Sequence, residues 1–193
     1  HGGQPGTRTV AAGGNDRRPI ALAGGVHAAP GCAGIRGVAD DDGTPEDAVD
    51  EDLRDAVLAQ LGFAAVPDAD VEGLTALYRA WCERVPFDNV RKLIWLAAAA
   101  KDPSPPPLPG GRADDFFRAW LAHGTGGTCW PSANALHALL VACGFESRRV
   151  AASMFETGEP SHGTTSVTVE TDGGCREYLV DTSMLTNVPL LLD

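Results

Sequence analysis

A thiol, an imidazole and a carboxylate occur along this chain in an order that suits nucleophilic chemistry. They are Cys129 in Gly126-Gly127-Thr128-Cys129-Trp130, His162 in Ser161-His162-Gly163, and Asp181 in Tyr178-Leu179-Val180-Asp181. A thiol is weak at neutral pH until an adjacent base takes its proton, and an imidazole base needs a carboxylate to fix its tautomer. Together the three types would perform acyl transfer through a thioester. A small buried cysteine at a helix start is the competing, structural reading of Cys129.

The neighbouring residues dictate how such groups would be positioned. Gly126-Gly127 allows a tight, open turn before the cysteine. Pro131 to Cys143 reads as a helix: Pro131 suits a first turn, Ala133, Leu136, Leu139, Leu140 and Cys143 recur at helical spacing, and Gly144 supplies the stop. Cys129 then sits at a helix N-terminus, where free N–H groups and the helix dipole favour a thiolate and can hold an oxyanion. Further on, Ser166 to Glu170 alternates like a half-buried strand. Thr171-Asp172-Gly173-Gly174 is a turn signal, and Arg176 to Val180 is the return strand. A hairpin centred between Asp172 and Gly173 brings His162 and Asp181 within about one residue step of facing each other.

The chain has 193 residues and a formal net charge of -11, with much of the acid between Asp40 and Asp55. This charge argues against nucleic acid or an anionic membrane as a partner. No apolar run approaches the length of a membrane span. The five cysteines, Cys32, Cys82, Cys129, Cys143 and Cys175, are scattered without C-x-x-C spacing. They read as reduced thiols in a cytoplasmic setting and give no zinc pattern, so no metal is expected. Residues 1–47 are rich in Gly, Ala, Arg and Asp, lack periodicity and do not resemble a signal peptide. They read as a disordered tail, and residues 48–193 as the folded core.

From Asp50 the pattern is helical. Leu53, Val57, Leu58 and Leu61 form one stripe closed by Gly62; Leu74, Leu77, Tyr78 and Trp81 form another between Asp70 and Arg84. Val85-Pro86-Phe87-Asp88-Asn89 breaks the second helix and opens a short one through Leu96. Residues 101–112 are a Pro- and Gly-rich loop, and Asp114 to Ala122 a short helix. Three strands follow the cysteine helix: Ser147 to Phe155, Thr165 to Glu170, and Cys175 to Asp181. The expected fold class is α+β, a helical subdomain followed by a helix packed on an antiparallel sheet. His27 falls in the tail read as disordered, His123 reads as a solvated loop residue, and His137 as a surface or packing residue.

From about Asp50 to its end the chain resembles the arylamine N-acetyltransferases, a branch of the transglutaminase-like cysteine superfamily with a papain-like core. Val85-Pro86-Phe87-Asp88-Asn89 is similar to that family's Pro-Phe-Glu-Asn element, and Gly126-Gly127-Thr128-Cys129 to its Gly-Gly-aromatic-Cys motif. Ser161-His162 and Leu179-Val180-Asp181 stand where the family has its catalytic His and Asp. The resemblance implies a Cys129–His162–Asp181 triad. It also implies an acetyl-CoA or other acyl-CoA co-substrate, no bound cofactor, and an amine or hydrazine acceptor. Phe87, by resemblance, and Trp130, by adjacency to Cys129, are candidates for an acyl pocket wall, with Thr128 and Gly163 as further substrate contacts.

The chain departs from the family at Thr125, where Arg is usual, and at Pro131 and Ala133, with Asn134 one step late. It departs again at Thr182-Ser183-Met184-Leu185 after the Asp. A transglutaminase-like cysteine hydrolase, an amide synthase fed by a carrier protein, and an inactive truncated homologue are the alternative readings. The family continues into further domains. The sequence therefore leads to an expectation that Val188 to Leu192 is an unpartnered apolar run, with an open cleft and weak acetyl-CoA binding.

Overall fold

The computed structural model describes residues 21–22, 48–154 and 158–192. Its helices are α1 (Glu51–Leu61), α2 (Val71–Arg84), α3 (Val90–Ala99), α4 (Ala113–His123) and α5 (Cys129–Ala142). Its strands are β1 (Ala21–Leu22), β2 (Glu146–Ser153), β3 (His162–Thr171), β4 (Gly174–Val180) and β5 (Leu190–Leu192). All neighbouring strands pair antiparallel, in the order β1-β2-β3-β4-β5.

The first two helices start where an aspartate can accept from the opening N–H groups. Asp50 accepts from Leu53 N at 2.8 Å and Asp70 from Gly73 N at 2.7 Å. Their apolar stripes face inward as the spacing predicts: Leu53, Val57, Leu58 and Leu61 from α1, and Leu74, Leu77, Tyr78 and Trp81 from α2. α4 adds Phe116, Phe117 and Trp120. Trp81 stacks on Phe116 at 5.9 Å between ring centroids and meets Phe117 edge-on at 6.1 Å. The same core continues through Leu136, Leu139 and Leu140 of α5 to Val167, Val169 and Val180 of the sheet. The helical subdomain and the sheet thus share one apolar interior, with α5 as the middle layer.

The β3–β4 hairpin has the register expected from its turn, with Thr171 opposite Gly174 and Thr165 opposite Val180. Most of the segment read as a disordered tail lies outside the described residues, including His27 and Cys32. Ala21–Leu22 falls within them and pairs with Ser153 and Ala152 of β2; a two-residue strand carries no periodicity for composition to reveal. The run after Val188 is not unpartnered, because Leu190–Leu192 pairs with β4 through Leu179, Tyr178 and Glu177. Val188 and Leu190 nonetheless stay exposed. Finally, the five cysteines are not all reduced: Cys82, Cys129 and Cys143 are free, whereas Cys175 is disulfide-bonded. Sequence spacing alone does not reveal such pairing. No helix among the described residues is long and apolar enough to cross a membrane.

Candidate active site

Cys129 is the first residue of α5, with Thr128 as N-cap. The Thr128 side chain makes no capping hydrogen bond, and Pro131 has no N–H. The N–H groups of Cys129 and Trp130 are therefore the donors that the first turn can offer an incoming oxyanion. The loop entering the helix is held by the element that ends α2. Asp88 Oδ2 accepts from Gly126 N at 2.8 Å and Asp88 Oδ1 from Val90 N at 3.0 Å. Asp88 N donates to the Gly127 carbonyl at 3.2 Å, and Phe87 forms a parallel bridge with Gly127. The Pro-Phe-Asp-Asn stretch is thus the backbone mould of the Gly-Gly loop.

Two contacts dock the start of α5 on β3. The Thr165 hydroxyl donates to the Ala133 carbonyl at 3.1 Å. The Trp130 ring lies against Gly163 so closely that a methyl group there would come 2.7 Å from Trp130 Cε3 and 3.2 Å from Trp130 Cα. Cys129 and His162 are each one residue away from that contact. His162 and Asp181 are both buried, and His162 Nε2 lies 2.6 Å from Asp181 Oδ2. The second carboxylate oxygen, Asp181 Oδ1, already accepts from Ser183 N at 2.8 Å and Met184 N at 3.0 Å. A carboxylate so engaged is an acceptor, so the imidazole donates from Nε2 and keeps Nδ1 as its basic nitrogen.

The substrate contacts suggested by sequence separate in the structure. Thr128 and Trp130 line a cleft with Lys92, Leu108, Pro109 and Pro131, between the start of α5, the start of α3 and the Pro-rich loop. Trp130 is exposed there. Phe87 keeps its ring exposed and acts through its backbone on Gly127. Gly163 is buried beneath the Trp130 ring. His123 is exposed at the end of α4, and His137 Nδ1 lies 3.0 Å from Ser147 Oγ, a packing role between α5 and β2.

Sequence reasoning missed the anchors of the Pro-rich loop. Arg91 meets both carboxylate oxygens of Asp115 at 2.8 Å, and Asp115 Oδ2 also accepts from Gly110 N at 2.7 Å. Asn134, the residue one step late relative to the family, donates to the Gly111 carbonyl at 2.9 Å and accepts from Arg149 at 2.8 Å. An arginine and an aspartate so far apart along the chain leave no spacing signal. Burial opposes ionisation of Asp115, but the Arg91 guanidinium and the Gly110 N–H together hold its carboxyl below the usual 3.8. A carboxyl depressed on folding stabilises the fold above its unfolded pKa, and that contribution is lost as pH falls through the folded value. The loop anchor should therefore be complete above about pH 4 and release in stronger acid. Protection of Gly110 N–H against hydrogen exchange, corrected for intrinsic rates, should show this; an unprotected amide at neutral pH would contradict it.

No family model matches the chain, and no curated protein does. Solved structures do match. An arylamine N-acetyltransferase of M. smegmatis aligns with a TM-score of 0.57 at 24% identity, over 72% of this chain and 50% of that one. The arylamine N-acetyltransferase of Salmonella typhimurium aligns at 0.55 and 19%, over 73% and 49%. That of Mycobacterium marinum, solved in complex with CoA, aligns at 0.56 and 22%, over 72% and 50%. The chain has the arylamine N-acetyltransferase fold. It spans about half the length of these structures. Among the departures, Thr125 leaves a buried hydroxyl without a partner; Pro131 forms part of the cleft wall.

Proposed function

We propose that residues 48–193 form an acyltransferase core in which Cys129 carries an acyl group as a thioester and passes it to an amine. The observation that carries this reading is the buried 2.6 Å contact of His162 with Asp181, on the strand against which the Cys129 helix end is docked. The solved structures of the same fold are of N-acetyltransferases, one of them in complex with CoA, which supports acetyl-CoA or another acyl-CoA as donor and an arylamine or hydrazine as acceptor.

In this reading His162 Nδ1 takes the Cys129 proton as Sγ attacks the thioester carbonyl. The first-turn N–H groups of α5 hold the oxyanion while the bond from carbonyl carbon to the CoA sulfur breaks. The departing thiolate takes the proton from the imidazolium. The amine nitrogen then attacks the Cys129 thioester and gives its proton to His162. The bond to Sγ breaks, and the proton returns to the thiolate. Asp181 holds the ring in place throughout.

The test is acetyl transfer from acetyl-CoA to an arylamine, followed as free CoA and as acetylated amine. Equal release of the two supports N-acetyl transfer. Release of CoA with acetate as the product would assign hydrolysis instead.

The nucleophile can be checked without a substrate. Burial pushes the Cys143 thiol up to about 11 and also raises Cys82. Both remain poorly reactive thiols in weak acid. Iodoacetamide at pH 6.5 should label Cys129 ahead of both. Labelling of all three at similar rates would remove Cys129 from the role.

A further inference from the structure

The turn that carries the Asp181 carboxylate is held by a residue outside the triad. The Tyr78 hydroxyl, on α2, donates to the Asp181 carbonyl at 2.7 Å and lies 3.1 Å from Thr186 Oγ1. Thr186 donates in turn to the Val188 carbonyl at 3.0 Å. Tyr78 has no exposed surface. A phenylalanine would serve the apolar core of α2 equally well, so the hydroxyl needs a reason of its own.

That reason lies in the turn. Leu185 and Asn187 have φ of 48° and 61°, the left-handed region that bulky residues rarely adopt. A leucine persists there only where its surroundings enforce it, and such strain collects at functional sites. The same turn presents Ser183 N and Met184 N to Asp181 Oδ1, which fixes how Oδ2 meets His162 Nε2. The carboxylate is therefore oriented by the turn, and the turn is tied to the helical subdomain through Tyr78.

We propose that Tyr78 is a positioning residue for the Cys129–His162–Asp181 chemistry: its hydroxyl anchors the Asp181 main chain so that the carboxylate holds the imidazole in place. This rests on the triad reading above. Without the anchor the strained turn relaxes, Oδ2 leaves the ring N–H, and the imidazole loses the group that fixes its tautomer and stabilises its protonated form. Burial pushes the Tyr78 phenol up to about 12, so it remains a donor at any pH where the reaction would run.

The experiment is the rate at which iodoacetamide labels Cys129 at pH 6.5, read by peptide mass spectrometry, alongside the urea unfolding midpoint. It is run on the parent chain, Tyr78→Phe, Asp181→Asn and the double variant. Tyr78→Phe should slow labelling by about 10-fold and add no further slowing in the Asp181→Asn background, because both remove one coupled interaction. A purely structural Tyr78 would lower the unfolding midpoint and leave the labelling rate at the parent value, which would overturn the proposal. Equal slowing in both backgrounds would overturn it as well. If Asp181→Asn itself labels like the parent, the triad reading fails and takes the proposal with it. Should Tyr78→Phe not fold, the comparison is made between Leu185→Gly and Tyr78→Phe/Leu185→Gly, whose turn no longer carries leucine's left-handed cost. A smaller slowing is expected there, because the strain is relieved while the hydroxyl still fixes the Asp181 carbonyl; equal labelling rates in the two variants would overturn the proposal.

Discussion

Replacing Asp181 with Asn should lower acyl transfer on the order of 10⁴-fold in kcat while leaving the fold intact, by analogy with serine triads. The fold should survive because the substituted amide keeps an oxygen for the N–H groups of Ser183 and Met184, which now bond Asp181 Oδ1. Activity should not survive, because the amide would present its NH₂ to His162 Nε2. That nitrogen would have to become the acceptor, the proton would move to Nδ1, and Nδ1 would no longer be a base for the Cys129 thiol. Single-turnover acylation by p-nitrophenyl acetate, with urea unfolding as control, checks this. Acylation within about 10-fold of the parent rate would demote Asp181 to a strand-end residue that shapes its turn.

Gly126→Ala should be the most damaging single methyl group among the described glycines. A Cβ at Gly126 would lie 1.7 Å from the Pro86 carbonyl oxygen and 2.7 Å from its carbon. Both obstacles are backbone, so no side-chain rotation relieves them. The strand-like segment from Pro86 to Asp88 would have to leave the Gly126-Gly127 loop, taking the Asp88 hydrogen bonds with it. Overpacking that cannot be relieved belongs to the rare class costing about 4 kcal/mol or more. The urea midpoint should fall accordingly, and any folded fraction should label poorly at Cys129. Gly124→Ala is the control: nothing lies within 4 Å of its added methyl, and its cost is limited to the left-handed backbone, about 1 kcal/mol. Similar midpoints for the two variants would show that the loop is not moulded by Pro86.

Much of this site could be read from local pattern. The helix that starts at Cys129 followed from Pro131, the leucine spacing and Gly144. The His162–Asp181 pairing followed from a turn whose register fixes every residue up the ladder. The α1 and α2 stripes were legible because helical periodicity repeats over several turns. What escaped was long-range and polar. The Tyr78 hydroxyl, the Arg91–Asp115 pair and the Asn134 bond to Gly111 join residues far apart in sequence, and each residue by itself has an ordinary local role. Tyr78 read as one more member of an apolar stripe. Asp88 was legible only as part of a motif, and its work on Gly126 needed the backbone to be seen. The close packing of the Trp130 ring on Gly163 is a contact that no local pattern announces. Cys175 shows the same limit for covalent pairing.

The covalent intermediate is the most direct point at which to test the chemistry. The protein is mixed with p-nitrophenyl acetate, which needs no CoA subsite, and in parallel with acetyl-CoA. It is then digested and mapped by mass spectrometry before and after addition of an arylamine. One acetyl group should appear on Cys129, transfer to the amine on its addition, and fail to form in Cys129→Ser or His162→Asn. Acetyl groups found only on lysines or on Cys82, with Cys129 unmodified in the folded protein, would contradict a thioester mechanism at this site.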